Sequence, residues 1–241
     1  MKNNNLIIPS IILALALLVS VLIFSGTWKK VKSSDQTINV TGSAKKLIIS
    51  DLGILRGNLT LEAATAKEAF QQLQLQKPIL VAYLKQNGFD EQKLDFKTIN
   101  NYANYNYSNN GMQTGIRSYT VSQMVELQSN DVEKIKKLSI DIASLVESGV
   151  NFVVNPPEYY FTKLTDIKID IQAEAAKDAM VRGKRIAEAT GRTLGTLKSA
   201  RMGVLQITPE NSNLTSDYGV NDVSSIRKEI TAVVNANFDI E

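Results

Sequence analysis

The chain has 241 residues, of which 44% are hydrophobic and 21% charged, and it carries a formal net charge of +3. It contains no cysteine and no histidine, which excludes disulfide scaffolds, cysteine-ligated zinc and catalysis by Ser-His-Asp or Cys-His groups. Only oxygen ligands remain for a metal, and these favour calcium or magnesium.

The positive charge is concentrated near the N-terminus. Four lysines and no acidic residue occur in the first 32 residues, whereas the rest of the chain has 23 basic and 24 acidic residues. A nucleic-acid-binding domain needs a basic stripe to neutralise phosphates. None stands out here, so we expect no nucleic-acid partner.

An uncharged apolar segment occupies residues 6–24, from Leu6 to Phe24. Nineteen helical residues span about 28 Å, close to the hydrocarbon core of a bilayer. The segment is longer than the apolar part of a signal peptide, and no good cleavage site follows it. We therefore expect residues 1–28 to be an anchor or signal-anchor in the inner membrane, rather than a cleaved signal, and residues 29–36 to be a polar tether.

The lysines that flank this segment leave its orientation open. Lys2 lies before it, and Lys29, Lys30 and Lys32 lie after it. The positive-inside rule slightly favours a cytoplasmic domain, but a short basic start is typical of a signal-anchor, which favours export.

Period-2 alternation of apolar and polar residues predicts strands in the rest of the chain. Ile38 and Val40 begin the first strand, which is predicted to stop at Gly42. Further strands are predicted at residues 53–63, 94–103, 117–128, 151–163, 196–207 and 225–240. One-sided alternation is typical of antiparallel sheets with one covered face and one solvent face.

Helical spacing of apolar residues predicts three helices, at residues 65–87, 130–148 and 165–190. Pro78 is expected to kink or break the first of them. Asn130 and Glu133 have the spacing of a capping box at the start of the second, and Gly149 is expected to end it.

Together these elements predict an α+β domain over residues 37–241, in which long helices cover antiparallel sheets. Residues 53–128 and 151–240 each follow the order β-α-β-β, and the helix at 130–148 joins them. The repeat is one of architecture alone, so both duplication and coincidence remain open.

The helix at 165–190 carries small residues at four-residue steps, namely Ala175, Ala179, Gly183 and Ala187. Such a stripe lets another backbone approach closely, which is compatible with a contact to a second copy in an oligomer. The simpler interpretation is packing on the domain's own sheet.

A polar loop is predicted at residues 102–111, where Tyr102, Tyr105 and Tyr107 stand among asparagines. Because tyrosine combines a stacking surface with a hydrogen-bonding group, the loop is a candidate site for a glycan or protein ligand. The alternative is a hairpin tip without a ligand.

No other segment has the spacing of a known site. Glu210, Asp217 and Asp222 do not match a calcium loop, and no glycine loop could cradle a phosphate. We therefore assign no catalytic, cofactor-binding or metal-binding residue, and we expect no cofactor.

Several short stretches have the order and spacing of one known family. They are 38–43 (INVTGS), 48–51 (IISD), 64–69 (ATAKEA), 84–88 (LKQNG), 175–179 (AAKDA), 186–191 (IAEATG) and 194–195 (LG). Together they resemble the SIMPL-domain family, an envelope family of unknown biochemical function that includes periplasmic immunogenic proteins. Ser50 stands where that family commonly has proline, and Pro78 is not an expected family feature.

The resemblance spans about residues 37–240 and implies an extracytoplasmic α+β domain, homo-oligomerisation and a loose association with envelope stress responses. It supplies no catalytic residue, and it favours export. We therefore expect a non-enzymatic, self-associating scaffold or binding module, anchored in the inner membrane with its domain in the periplasm or exported after signal cleavage. The alternatives are a small-ligand or glycan binder that uses the tyrosines, and an enzyme that relies on carboxylates.

Overall fold

The computed structural model describes residues 7–33 and 36–240. Helix α1 is Ile7–Ser33, and its central 20 residues, Pro9–Trp28, carry no charge, and none of them is buried. Among the described residues it is the one helix that is long and apolar enough to cross a membrane. Leu6 and Lys2 lie outside the described residues, as do the side chains of Lys29, Lys30 and Lys32.

Helix α1 continues into the segment for which a polar tether is predicted. Its backbone is helical as far as Ser33, because residues 29–33 contain neither glycine nor proline to end it. Residues 34 and 35 of the tether lie outside the described residues.

The rest of the described chain contains strands and helices that confirm the α+β class. The elements are β1 Thr37–Ile49, β2 Leu52–Ala63, α2 Ala66–Gln86, β3 Leu94–Tyr107, β4 Gln113–Ser129, α3 Val132–Asp141, β5 Phe152–Val154, β6 Glu158–Tyr160, α4 Leu164–Ala189, β7 Leu194–Met202, β8 Gln206–Pro209 and β9 Arg227–Ile240. The chain forms two compact units. The first unit comprises Met1–Lys45, Ile167–Leu205 and Thr231–Glu241, and the second comprises Lys46–Asp166 and Gln206–Ile230.

The second unit is built on a sheet of order β3-β4-β2-β5, in which β6 also pairs with β2. Strands β2 and β4 are antiparallel from the pair Gly53 and Ser129 to the pair Ala63 and Tyr119. Alternate residues of these strands face inward and form one core with the buried residues of α2 and α3, including Leu55, Leu59, Leu73, Leu80, Leu84, Val125, Leu127 and Ile135.

Helix α2 confirms the predicted helix but not the predicted break. The side chain of Thr65 caps it by accepting a hydrogen bond from the backbone N–H of Glu68 (3.2 Å). The helix runs through Pro78 without interruption. Pro78 lies on the exposed face of the helix. Leu73, before it in the sequence, and Leu80, after it, are both buried, so core packing holds the two halves in one helix.

The predicted capping box at the start of α3 is wrong. Asp131 is the cap, since its carboxylate accepts a hydrogen bond from the backbone N–H of Lys134 (3.0 Å). Asn130 instead donates its side-chain amide to the backbone carbonyl of Asp51 (3.0 Å). The helix passes into a 3₁₀ turn at Ile142–Ser148 and ends, as predicted, at Gly149, whose φ of +75° favours glycine.

The first unit contains α4 and a sheet of order β1-β9-β7. Strand β1 does not stop at Gly42 but runs on to Ile49. Gly42 faces α4 so closely that a Cβ there would lie 2.7 Å from the Cα of Ala179. Glycine is therefore needed at this position for a close approach rather than for a turn.

The small stripe of α4 packs within the first unit. Ala175, Ala179, Gly183 and Ala187 are all buried. Gly183 approaches the side chains of Val40, Leu194 and Phe238. The packing interpretation therefore accounts for the stripe within one copy, and a contact of these four residues with a second copy stays a prediction.

The second β-α-β-β set differs from the prediction in its first strand. Residues 151–163 form two short strands, β5 and β6, because Pro156 and Pro157 interrupt them, and both strands pair with β2. The sheet that carries α4 uses β1 instead. The order β1-β9-β7 in this sheet corresponds to the order β2-β4-β3 in the sheet that packs on α2. The architectural repeat is therefore present, but β1 takes the position that was predicted for the strand at 151–163. The strand predicted at 196–207 is likewise divided, into β7 and β8.

Candidate functional site

The three tyrosines of the predicted loop lie in a strand. Strand β3 extends to Tyr107 and β4 begins at Gln113, so Tyr102, Tyr105 and Tyr107 belong to β3. The turn is confined to residues 108–112, where the backbone N–H of Ser108 donates to the carbonyl of Met112 (2.8 Å). The loop prediction is wrong because residues 102–107 of β3 pair with β4, and this pairing offsets the preference of the asparagines for turns.

The outer end of this hairpin extends beyond its sheet. The pairing of β2 with β4 ends at Tyr119, and beyond it β4 pairs only with β3 among the described strands. Residues 105–116 therefore form a two-stranded ribbon, here called the hairpin arm. Its large apolar side chains are exposed, with Tyr105 at 41%, Ile116 at 49%, Tyr107 at 67% and Met112 at 69%.

A polar network anchors the base of the arm. The side-chain amide of Asn104 donates to the hydroxyls of Ser118 (2.9 Å) and Thr120 (2.8 Å), both of which are buried. The hydroxyl of Ser118 donates to the carboxylate of Glu62, and this bond lowers the pKa of Glu62. The base of the arm is therefore held in one geometry, whereas its outer part is free of such side-chain contacts to the rest of its sheet.

A second polar cluster joins β2, β4 and β6. The guanidinium of Arg56 lies 2.6 Å from the carboxylate of Glu126 and 2.8 Å from that of Glu158, and the hydroxyl of Tyr160 donates to Glu158 (2.6 Å). The hydrogen bond from Arg56 lowers the pKa of Glu126, and those from Tyr160 and Arg56 lower the pKa of Glu158. Both carboxylates are thus held ionised and make a structural ion pair rather than a proton donor.

Two of the three acids singled out near the C-terminus have structural partners as well. Glu210 pairs with Arg227 (2.6 Å), and Asp222 accepts hydrogen bonds from the backbone N–H (2.9 Å) and hydroxyl (2.7 Å) of Ser224. Within residues 7–33 and 36–240, no group of three or more acidic side chains is placed to hold a metal ion.

Sequence reasoning missed one buried charge, Lys228. This residue is only 3% exposed, and its ammonium donates to the backbone carbonyls of Tyr159 (2.6 Å) and Asp222 (2.5 Å). Burial lowers its pKa, an effect that the nearby Asp222 carboxylate opposes. The alternation in β9 could have predicted this burial. Lys228 is an even number of residues from Ile230, Ala232 and Val234, so its side chain faces the core as theirs do.

Comparison with known proteins identifies the family but not an activity. No curated protein matches this chain. The model of the SIMPL family, described as a protein of unknown function (DUF541), matches residues 38–238 and so includes β1 to β9 almost entirely. This match confirms the resemblance seen in the short motifs, and the chain belongs to the SIMPL family.

Proposed function

We propose that this SIMPL-family chain is a membrane-anchored scaffold of the cell envelope that self-associates through the hairpin arm. The observation that carries the proposal is the exposure of Tyr105, Tyr107, Met112 and Ile116 on a ribbon that no other described strand covers. Clustered exposed apolar side chains mark interaction surfaces. An isolated two-stranded ribbon is also only marginally stable in water, so a partner that covers the arm would order it.

A second copy is more easily bound to the hairpin arm through side-chain contacts than through backbone pairing with one of its strands. The pairing of β3 with β4 shifts register between Asn104 and Tyr105 and again between Asn106 and Tyr107. The pairing of β7 with β9 in the first unit is irregular between Leu194 and Ser199. Bulges at edge strands disfavour pairing with another chain. A second copy would therefore bind by covering the exposed parts of the tyrosine side chains, which amount to 41% of Tyr105 and 67% of Tyr107.

Anchoring strengthens such a contact. The exposed, uncharged stretch Pro9–Trp28 supports insertion as an anchor within residues 1–28. Trp28 stacks on Phe24 with ring centroids 5.8 Å apart, and tryptophan at the end of a span favours the membrane interface. Anchors confine copies to one surface, which raises their effective concentration. We place the domain on the periplasmic side of the inner membrane, in keeping with the family resemblance and its association with envelope stress.

The titratable groups favour a scaffold over an enzyme. Among the described residues, every carboxyl group with a shifted pKa is shifted downward, namely Glu62, Glu126, Glu158, Glu210 and Asp222. A carboxylate-dependent enzyme ordinarily needs an acid whose pKa is raised so that it can donate a proton. The pattern here is that of ion pairs and hydrogen bonds that stabilise a fold.

The test is the mass of the full chain in detergent micelles, measured by light scattering over a range of concentrations. We expect an oligomer for the wild type and a monomer for the triple variant Tyr105→Ser, Tyr107→Ser and Ile116→Ser. The matched control is Tyr218→Ser with Leu75→Ser, since Tyr218 is 96% exposed and Leu75 is 73% exposed outside the arm. A wild type that stays monomeric, or a triple variant of wild-type mass, would reject self-association through the arm.

A glycan-binding role is the second candidate, favoured by the alternation of tyrosine and asparagine along β3. Tyr102, Tyr105 and Tyr107 are exposed, and Asn106 stands between the last two. Tyrosine rings stack on sugars, and their hydroxyl groups can form hydrogen bonds with sugar hydroxyl groups. If this role is correct, the trisaccharide of N-acetylglucosamine raises the melting temperature of the wild type, and Tyr105→Ala with Tyr107→Ala removes that shift without lowering the melting temperature of the free protein. The absence of any shift in the wild type would reject it.

A further inference from the structure

An apolar groove of about 560 Å³ lies between α4 and the edge strand β7 of the first unit. Its lining includes Met180 and Val181 of α4, Leu194 and Leu197 of β7, and the buried Phe238 of β9. Three of these side chains are about half exposed, Leu197 at 54%, Met180 at 49% and Val181 at 48%. Exposed apolar side chains that share one groove mark a contact surface for a protein or a membrane.

The groove lies at the end of the unit to which the anchor is joined. Gln36 directly precedes β1, and its backbone carbonyl accepts a hydrogen bond from the N–H of Ile240 (3.0 Å). Its side-chain oxygen accepts a second one from the guanidinium of Arg192 (2.6 Å). Ile240 pairs in turn with Leu194 of the groove. The start of β1 and the β7 side of the groove are therefore two strand spacings apart, about 10 Å.

The chain between the membrane span and this end of the unit is short. From Trp28, helix α1 continues to Ser33 and adds about 8 Å at about 1.5 Å per residue. Residues 34–36 can cover at most about 11 Å. The start of β1 thus lies no more than about 20 Å from the end of the span, and lipid head groups occupy part of that distance. The anchored end of the unit is held beside the bilayer, whichever side of the membrane the domain occupies.

The charge of this end is complementary to an anionic bilayer. Residues 29–38, 184–198 and 238–241 carry seven basic and four acidic side chains. At the α4 rim of the groove, the side chain of Lys184 is 69% exposed and lies 3.9 Å from Glu188. Basic residues close to a membrane surface are attracted to anionic lipids. A second copy is a poorer occupant, because a symmetric contact would bring two ends of the same positive charge together.

We propose that this groove rests on the interface of the bilayer that holds α1. Met180, Val181 and Leu197 contact the acyl chains next to the head groups, and the ammonium of Lys184 lies among the phosphates. A weak contact is sufficient, because the anchor already keeps the groove at a high effective concentration near the lipid. This contact requires the anchoring proposed above but not self-association, since it uses no residue of the hairpin arm.

A fluorescent label beside the groove tests the contact. Because the chain has no cysteine, Thr193→Cys at the groove and Met202→Cys at the opposite end of β7 each give a single site for a bimane label. The full chain is reconstituted in vesicles of phosphatidylcholine with about one-third phosphatidylglycerol, with and without a phosphatidylcholine that carries a doxyl spin label near its head group. We expect this lipid to quench the label at position 193 at least about twofold more than the label at position 202.

Substitutions in the groove test its apolar contribution. Val181→Gln with Leu197→Gln should reduce the quenching at position 193 to the level at position 202, because polar amides disfavour the acyl region. The matched control is Leu75→Gln with Val153→Gln, which replaces exposed apolar residues of the second unit and should leave the quenching unchanged.

The charged contribution depends on the lipid. Lys184→Gln should lower the quenching at position 193 in vesicles that contain phosphatidylglycerol, but not in vesicles of phosphatidylcholine alone. The triple variant of the hairpin arm should show wild-type quenching, so that loss of self-association and loss of the bilayer contact are separate results.

Flotation of the same vesicles distinguishes a failure of the anchor from a failure of the groove. A chain that does not float with the vesicles would reject the anchoring and, with it, the contact. A chain that floats but shows equal quenching at positions 193 and 202 would reject the contact alone, and this comparison stands even if the double variant does not fold. Protection of position 193 from aqueous iodide without quenching by the labelled lipid would assign the groove to a second copy instead.

Discussion

The ammonium of Lys228 donates a hydrogen bond of 2.6 Å to the backbone carbonyl of Tyr159 and so joins β9 to β6 within the second unit. The same ammonium reaches the carbonyl of Asp222 (2.5 Å), which lies in the segment between β8 and β9. Lys228 therefore acts as a buried cross-link between three segments of chain. Tyr159 is itself 4% exposed, so its carbonyl has little access to water if the donor is lost.

Replacing this lysine should be costly. Lys228→Met keeps the length of the side chain but leaves two carbonyl oxygens without their donor, which should lower the free energy of unfolding by about 1–3 kcal/mol. Urea unfolding of the full chain in detergent micelles measures the effect. Lys136→Met, an exposed substitution on α3, is the control and should change stability by less than about 0.5 kcal/mol. Equal effects of the two substitutions would contradict a cross-linking role.

Gly42 should not tolerate even one methyl group. A Cβ at this position would approach the backbone of Ala175 and Ala179, which cannot move aside as a flexible side chain would. We expect Gly42→Ala to lower the free energy of unfolding by about 1–3 kcal/mol, the usual range for overpacking. Gly203→Ala is the control in the same unit, since its Cβ would meet nothing nearer than 3.4 Å. If Gly42→Ala is as stable as Gly203→Ala, the close approach of β1 to α4 is wrong.

The cap of α3 should depend on Asp131 rather than on the predicted capping box. Asp131→Ala removes the acceptor for the backbone N–H of Lys134 and should cost about 1 kcal/mol. Glu133→Ala should cost less than half as much, because no hydrogen bond from its side chain contributes to the cap. Thermal unfolding of the two variants under identical conditions measures the difference. A larger loss of stability for Glu133→Ala than for Asp131→Ala would favour the predicted capping box instead.

The Arg56 cluster should make stability depend on pH in the acid range. The folded-state pKa values of Glu126 and Glu158 are lowered, so their contribution is fully present above the ordinary glutamate pKa of about 4.3 and is lost as the pH falls through the lowered values. Arg56→Gln removes the guanidinium and should reduce stability by about 1 kcal/mol at pH 7, a modest figure because the pairs are partly exposed.

The difference between wild type and Arg56→Gln should shrink as the pH is lowered from 5 to 3, since protonated carboxyl groups gain little from Arg56. Urea unfolding at a series of pH values follows it. Arg185→Gln is the control, because Arg185 is exposed and lies 3.9 Å from its partner Glu188. A difference in stability between wild type and Arg56→Gln that stays constant from pH 7 to pH 3 would show that Arg56 does not stabilise the ionised carboxylates of Glu126 and Glu158.

Local features of the sequence predicted most of the elements. Thr65 and Gly149 mark helix ends because capping and positive φ depend on a few neighbouring atoms. The alternation in β2, β4 and β9 predicted which residues face the core, because side chains of a strand point to opposite faces whatever the strand pairs with.

Errors arose where distant packing overrides local preference. Pro78 does not break α2, because buried leucines on both sides hold the helix. Gly42 does not end a strand. Its lack of a side chain allows α4, more than 130 residues further along the chain, to pack closely against β1. The hairpin arm was assigned to a loop because asparagine is common in turns, whereas the pairing of β3 with β4 decides its conformation.

The sequence by itself determined the α+β class, the apolar segment, the family resemblance and the absence of histidine and cysteine chemistry. The family resemblance follows from the order of short sequence motifs, and the other three follow from composition and from periodicities that the backbone geometry of each element imposes. Only the tertiary structure decided that β5 and β6 pair with β2, that Lys228 is buried, that the α4 stripe is internal, and that Met180 and Leu197 line one groove. The physical reason is that each of these depends on which distant segments pack together, and that choice is made by the free energy of the whole core rather than by any residue's neighbours in sequence.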